Sequence, residues 1–353
     1  MKGSKKKIAV LGSGANGASV GADLTEAGHD VVLIDQWPEH VRVMRQRGLR
    51  IEMPDATLEL PVRAFHLCDV CTFNEQFDIV LLLVKTYDTR WSCQLIAPYL
   101  KPDGLVAGLQ NGMTTDTIAE VVGAKRTIGC VIEIASMMFD PGVVMRHTSR
   151  SRSWFALGGV DPATSGREDE VGALLRHSGG VEIVDNIRAT KWMKLVSNAS
   201  MLVATALLGL PIRDAVALPG MRELMLRAGQ EAFDLGMALG HPALPIFGLK
   251  PDDVRQSNRL VETLLDALLT GFISPNTKTT VLQDWIKGRR SEVDDINGLV
   301  ATQSARLSRS APVNAAITEL AHQIEHHKLK PDPANSRLLL NLAEQYAEAS
   351  RPT

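Results

Sequence analysis

The first half of the chain alternates short apolar runs with helical periodicity. Lys7 to Leu11 predicts a strand, Asn16 to Ala27 a helix, and Val31 to Ile34 a second strand after the turn Gly28-His29-Asp30. Phe77 to Val84 contains the unbroken run Ile79-Val80-Leu81-Leu82-Leu83-Val84, the pattern of a strand buried on both faces. Trp91 to Leu100 and Thr115 to Val122 read as helices, with a strand from Gly104 to Leu109 between them. Leu49 to Phe65 reads as one or two hairpin strands around Pro54-Asp55. A strand-like pattern resumes from Arg126 to Gly159, with a turn at Asp140-Pro141-Gly142, and Glu168 to His177 and Val181 to Val184 add a helix and a closing strand. This alternation predicts a mostly parallel sheet with helices on both faces. After about Asn186 nearly everything to Gln345 has helical periodicity, broken at Pro211, Pro219, Pro242, Pro275 and Pro312. The tail from Glu348 to Thr353 is expected to fray.

The turn between the first strand and first helix carries candidate chemistry. Gly12-Ser13-Gly14-Ala15-Asn16-Gly17 places Gly-x-Gly-x-x-Gly between them. Gly12 permits a tight turn, Gly14 lets the backbone approach a pyrophosphate, and Gly17 lets helix and sheet pack closely. Asp35, 23 residues after Gly12, stands at the end of the second strand, where a carboxylate would bond a ribose 2′-OH and repel a 2′-phosphate. It could also be an ordinary turn residue. The expected class is α/β: a Rossmann-type dinucleotide-binding domain over residues 1–187, then an all-helical domain over 188–353 for substrate and dimerisation. NAD is the expected cofactor, with NADP kept open.

Composition narrows the partners. The formal charge of −2 and the 5% aromatic content offer no polycationic surface for nucleic acid or acidic membranes and no base-stacking platform. The longest apolar stretch, Leu195 to Ile212, is interrupted by Ser197, Asn198, Ser200 and Gly209, so it reads as a buried helix and not a membrane span. The basic start is followed only by Ile8-Ala9-Val10-Leu11, too short for a signal peptide's apolar segment. Four cysteines form no disulfide framework, and Cys68-x-x-Cys71 lacks a second pair for zinc. These features predict a cytoplasmic, reduced protein.

Two further segments bring polar groups to predicted strand ends, Val84-Lys85-Thr86 and Leu109-Gln110-Asn111-Gly112. Either could be a plain surface turn. In Lys191-Trp192-Met193-Lys194-Leu195-Val196-Ser197-Asn198, Lys194 and Asn198 are four apart and share a helix face. A lysine and an asparagine in so apolar a helix need partners, and Lys191 competes for any role given to Lys194. Thr279-Thr280 and Arg289 to Gly298 read locally as a capped helix boundary and a charged face. His322, His326 and His327 read as a surface cluster, and no metal site is expected.

In this order the segments resemble the ketopantoate reductase (2-dehydropantoate 2-reductase) family. The resemblance also takes in Pro141-Gly142, Leu282-Gln283-Asp284 and Glu292-x-x-x-Ile296-Asn297-Gly298, and covers nearly the whole chain. It implies a site in a cleft between the two domains. It implies that Lys194 is the catalytic lysine, Asn198 a substrate-binding asparagine, and Asn111 an asparagine near nicotinamide and substrate. Glu292 matches a carboxylate that holds a substrate hydroxyl, and Thr280 stands where the family usually has serine. Lys85 matches a lysine near the adenosine phosphate of NADP-using members. The sequence departs from the family at Leu202, where a second substrate-binding asparagine is common, and at Asp35, where many NADP users carry a basic residue.

The implied reaction is hydride transfer between NAD(P)H and the carbonyl of a small 2-oxo acid such as ketopantoate. Lys194 would be the acid, since partial desolvation makes an ammonium a better proton donor. Glu292 would complete the catalytic pair. Three alternatives stand beside it: an NAD-dependent dehydrogenase acting on a more apolar alcohol, an opine-type dehydrogenase with an imine substrate, and a dinucleotide-sensing protein without turnover. A homodimer is expected.

Overall fold

The computed structural model describes residues 5–255 and 259–350. The start of the basic N-terminal stretch and the end of the tail expected to fray lie outside the described residues. The chain divides into two compact units, Met1–Arg188 and Ala189–Thr353. Among the described residues no helix is long and apolar enough to cross a membrane.

In the first unit the elements run β1 (Lys7–Leu11), α1 (Ala15–Glu26), β2 (Asp30–Asp35), α2 (Pro38–Arg47), β3 (Leu49–Glu52), β4 (Thr57–Leu60), β5 (Arg63–His66), β6 (Phe77–Leu82) and α3 (Thr89–Ile96). They continue with β7 (Leu100–Gly108), α4 (Thr115–Val122), β8 (Thr127–Glu133), β9 (Ser136–Met137), β10 (Val143–Arg146), β11 (Trp154–Gly159), α5 (Glu168–Leu175) and β12 (Gly180–Ile183). Eight strands form one sheet in the order β12-β11-β8-β7-β6-β1-β2-β5, and a second sheet has the order β4-β3-β10-β9. Among the described residues, the β8–β11 pair alone in the large sheet is antiparallel. From β5 to β8 the order is that of a doubly wound dinucleotide-binding fold, with its switch point between β1 and β6.

Burial on both faces explains the continuous apolar runs. Ile8 and Val10 pack into one core and Ala9 and Leu11 into the other, as do Ile79 and Leu81 against Val80 and Leu82. Two features depart from the sequence pattern. α2 was not legible, because only His40, Val41 and Met44 of its ten residues are buried; Pro38 starts it, where a fixed φ and a missing N–H cost little. The segment from Leu49 to Phe65 contains the expected hairpin, closed by Met53 N–H to Ala56 O at 2.8 Å. That hairpin joins the second sheet, while β5 separately extends the large one beside β2.

The second unit is helical: α6 (Ile187–Ala206), which starts at the boundary, α7 (Ile212–Val216), α8 (Met221–Ala238), α9 (Pro251–Arg255), α10 (Leu260–Gly271), α11 (Thr280–Ile286), α12 (Asn297–Arg306), α13 (Pro312–Glu325) and α14 (Asn335–Ala349). Leu195, Val196, Ala199, Val203 and Ala206 of α6 are fully buried, as expected of a helix apolar on nearly all sides. Gly236 of α8 admits the Trp192 ring, since a Cβ there would lie 2.0 Å from Nε1, and that Nε1–H donates to Ala232 O at 2.9 Å. Asn297 Nδ2 donates to Ala199 O and to Asn314 Oδ1, both at 2.8 Å, and so anchors the centre of α6. Glu231 accepts from the Val313 and Asn314 backbone N–H groups and from Asn314 Nδ2. Burial nonetheless holds its carboxyl above the usual carboxylate range.

Candidate functional site

In the first unit the site grows from the turn after β1. Gly12 has φ +95°, and a Cβ on it would lie 2.6 Å from Val84 N. A Cβ on Gly17 would lie 2.0 Å from Gly12 O, whereas one on Gly14 would meet no heavy atom within 4 Å. Internal packing therefore demands glycine at 12 and 17. At Gly14 it does not, and the space beside its Cα is open. Gly12 and Ser13 N–H both donate to Ile34 O (2.9 and 3.2 Å), which fastens the turn to β2. The first α1 bond is Ala18 N–H to Gly14 O at 2.7 Å, so the N–H groups of Ala15, Asn16 and Gly17 precede the helical ladder. With no acidic residue in its first turn, this helix end suits a pyrophosphate. Asn16 Oδ1 accepts from Ser136 Oγ at 2.5 Å.

His40 holds the same turn and was not singled out by the sequence. It is fully buried. Its Nδ1 accepts the Gly142 N–H at 2.9 Å, so the ring proton sits on Nε2, which donates to Ser13 O at 2.9 Å. Trp37 stacks on it with centroids 5.8 Å apart. Asp35, 8% exposed, ends β2 and accepts the Trp37 N–H at Oδ1 (2.9 Å), a local turn bond that uses one carboxylate oxygen. Lys85 and Asn111, both half-buried, follow β6 and β7. Gln110 staples their loops, donating through Nε2 to Val84 O at 2.8 Å and Thr89 Oγ1 at 2.9 Å. Gly12, Asp35, Lys85 and Asn111 all stand at carboxyl ends of parallel strands, the end where open α/β sheets bind ligands.

In the second unit α6 carries Lys194, half-buried, and Asn198, 2% exposed, one turn apart. Lys191 is 3% exposed, so of the two lysines Lys194 is the more accessible. The Lys194 ammonium lies over the Phe247 ring, 4.8 Å from its centroid. Phe247 is a second residue the sequence did not flag. Leu202, the next residue on that face, is 9% exposed. Glu292, 3% exposed, begins a 3₁₀ turn over Val293–Asp295. Ser291 beside it donates through N–H and Oγ to Glu325 Oε1 (2.8 and 2.6 Å), which fixes the entry to that turn. Thr279 caps α11 by accepting the Leu282 N–H at 3.3 Å, and Thr280, half-buried, is the first helical residue. His322 Nε2 lies 2.7 Å from Asp294 Oδ1, and among the described residues no three metal-type side chains group together.

The chain matches the family description "Ketopantoate reductase PanE/ApbA" over residues 8–159 and "Ketopantoate reductase PanE/ApbA C terminal" over residues 186–325. It is 24% identical to the 2-dehydropantoate 2-reductase of Archaeoglobus fulgidus, covering 91% of this chain and 98% of that one. The 2-dehydropantoate 2-reductase of Lactococcus lactis is 27% identical over 90% and 98%. Among solved structures, the PanE/ApbA family ketopantoate reductase from Ralstonia eutropha JMP134 is 29% identical, covers 91% and 99%, and superposes with a TM-score of 0.74. D-mandelate dehydrogenase with NADH and anilino(oxo)acetate, 21% identical over 91% and 98%, superposes at 0.80 and shares the fold. The chain belongs to the ketopantoate reductase family and is a nicotinamide-dependent oxidoreductase acting on a CH–OH group.

Proposed function

We propose that the chain interconverts a small 2-oxo acid and its 2-hydroxy acid, with Lys194 as the proton donor in the reducing direction. The observation that carries this reading is the α6 face, a half-buried ammonium one turn from a buried asparagine. A bound nicotinamide dinucleotide supplies the hydride. The N–H groups of Gly14 to Gly17 would hold its pyrophosphate, with Gly12 and Ser13 shaping the turn, Asp35 its adenosine ribose, and Lys85 and Asn111 its remaining polar groups. As the substrate carbonyl is reduced, negative charge grows on its oxygen; the Lys194 ammonium stabilises that charge and gives up a proton to it. Asn111, Asn198 and Thr280 would orient the substrate, and Glu292 would accept a hydrogen bond from a substrate hydroxyl.

NAD is the preferred dinucleotide in this reading, because the Asp35 carboxylate repels a 2′-phosphate. In this reading residues 1–187 bind the dinucleotide and residues 188–353 the substrate. A cytoplasmic location is supported by the thiols of Cys68, Cys71 and Cys93, none of which is in a disulfide. A homodimer is supported by Met237, Leu239 and Leu338, apolar yet 51%, 40% and 49% exposed on the helical unit.

One observation favours a second substrate. Leu202 makes the wall beyond Asn198 apolar, and a fold neighbour is D-mandelate dehydrogenase with NADH and the aryl-bearing anilino(oxo)acetate. The test is a set of initial rates with NADH and NADPH against ketopantoate, phenylglyoxylate and branched 2-oxo acids, repeated in reverse with the alcohols. Turnover on ketopantoate above all others supports the first substrate, and preference for aryl or branched acids supports the second. Absence of turnover on the whole panel would end the 2-oxo acid reading.

A further inference from the structure

Phe247 adopts φ +58°, the left-handed region that a phenylalanine rarely occupies, and Gly248 follows at φ +78°. A bulky residue persists there only when its surroundings fix it, and such residues gather at functional sites. Phe247 is 8% exposed. It packs against Phe272 with centroids 5.7 Å apart and planes at 55°. It also lies under the Lys194 ammonium at 4.8 Å, inside the roughly 6 Å within which a ring face attracts a cation. The disfavoured backbone thus delivers an aromatic face to the side chain on which the proposed chemistry turns.

We propose that Phe247 is a positioning residue for Lys194. A lysine ammonium is a point charge on a flexible four-carbon stem with three rotatable donors. The Phe247 face occupies one side of that charge and limits its rotamers, so the donors on the opposite side keep one direction, toward the substrate carbonyl oxygen. Phe272 backs the Phe247 ring and keeps it from tilting away. Fixing a donor before the reaction lowers the barrier without tightening substrate binding. The inference rests on the reading of Lys194 as proton donor and adds to it how that donor is held.

The test compares Phe247→Leu, Phe247→Met and Phe247→Tyr with Lys194→Ala, on the best oxo acid of the rate panel. Leu and Met keep apolar bulk without a ring face, so each should lower kcat about 3- to 30-fold while KM changes by less than about threefold. Tyr keeps the face and should stay within about twofold of the parent. An independent readout is the ¹H–¹³C spectrum of lysine-labelled protein. The Lys194 ε-protons, assigned by their loss in Lys194→Ala, should be shifted upfield by the ring in the parent and in Phe247→Tyr but not in Phe247→Leu. Parent-like kcat in both Leu and Met, with Lys194→Ala inactive, overturns the positioning role alone. Full turnover in Lys194→Ala overturns the proton-donor reading and the positioning role with it.

Discussion

Arg146 Nη1 lies 2.7 Å from Asp23 Oδ2, with both side chains out of contact with solvent. Arg150 Nε takes the other oxygen at 2.7 Å, and Arg146 Nη2 donates to Ser153 Oγ and Ser178 O. The pair ties β10 of the small sheet to α1, the helix whose N-terminus carries the glycine-rich turn. Removing one partner of a buried ion pair strands the other charge. Asp23→Ala should therefore cost about 3–5 kcal/mol in urea denaturation. A loss below about 1 kcal/mol would mean that the serine contacts alone keep Arg146 satisfied.

Lys194→Ala should cut kcat by about 10²- to 10⁴-fold, the usual range for general acid help. Its dinucleotide Kd, followed by fluorescence titration, should remain within about twofold, since the proposed phosphate contacts lie in the glycine-rich turn. A parallel fall in cofactor affinity would assign the lysine to binding and not to proton donation.

Asp35→Asn keeps the oxygen that accepts the Trp37 N–H at 2.9 Å and removes the charge. The ratio of kcat/KM with NADH to that with NADPH should fall about tenfold, the effect of losing roughly 1.4 kcal/mol of repulsion toward a 2′-phosphate. An unchanged ratio would return Asp35 to the role of a turn residue.

Leu202→Asn restores a polar group beyond Asn198 on the same helix face. One new hydrogen bond to a hydroxylated acid should raise kcat/KM on ketopantoate about fivefold to tenfold and lower it on aryl-bearing acids. Equal changes on both substrates would show that position 202 does not read the substrate.

Burial holds the His147 imidazole below its usual pKa of 6.5, and burial, with His177 and Lys5 nearby, does the same for His29. The folded protein therefore resists protonation that the unfolded chain accepts. Stability from these groups is complete above pH 6.5 and is lost as pH falls from there through the lower folded values. Glu231, raised by burial, slopes the other way in more acidic solution, so the informative measurement is a difference. His147→Gln should lose less stability than the parent between pH 7.5 and about 5.5 in urea midpoints. Identical pH profiles would show that His147 does not titrate on unfolding.

How much was legible varied by element. The unbroken run at Ile79 to Val84 fixed a doubly buried strand, because apolar residues on both faces have one common cause. α2 gave little pattern because seven of its ten residues remain at least partly exposed. The hairpin around Pro54-Asp55 was readable as a hairpin, yet nothing local states that β3 pairs with β10 instead of entering the large sheet. Lys194 and Asn198 could be set on one face by their spacing of four. Phe247 could not be linked to them, because only the folded loop brings it there.

The sequence by itself determined most of the order of strands and helices, α2 excepted, together with the glycine turn with Asp35 beyond it and the polar pair on an apolar helix. These are short-range properties, set by side-chain periodicity and backbone permissiveness within a few residues. Tertiary structure alone decided that His40 joins Ser13 to Gly142, that Asp23 meets Arg146 across 123 positions, and that an aromatic ring lies under Lys194. Those contacts depend on chain closure over long separations, which is driven by the burial of the whole core and leaves no local periodic trace.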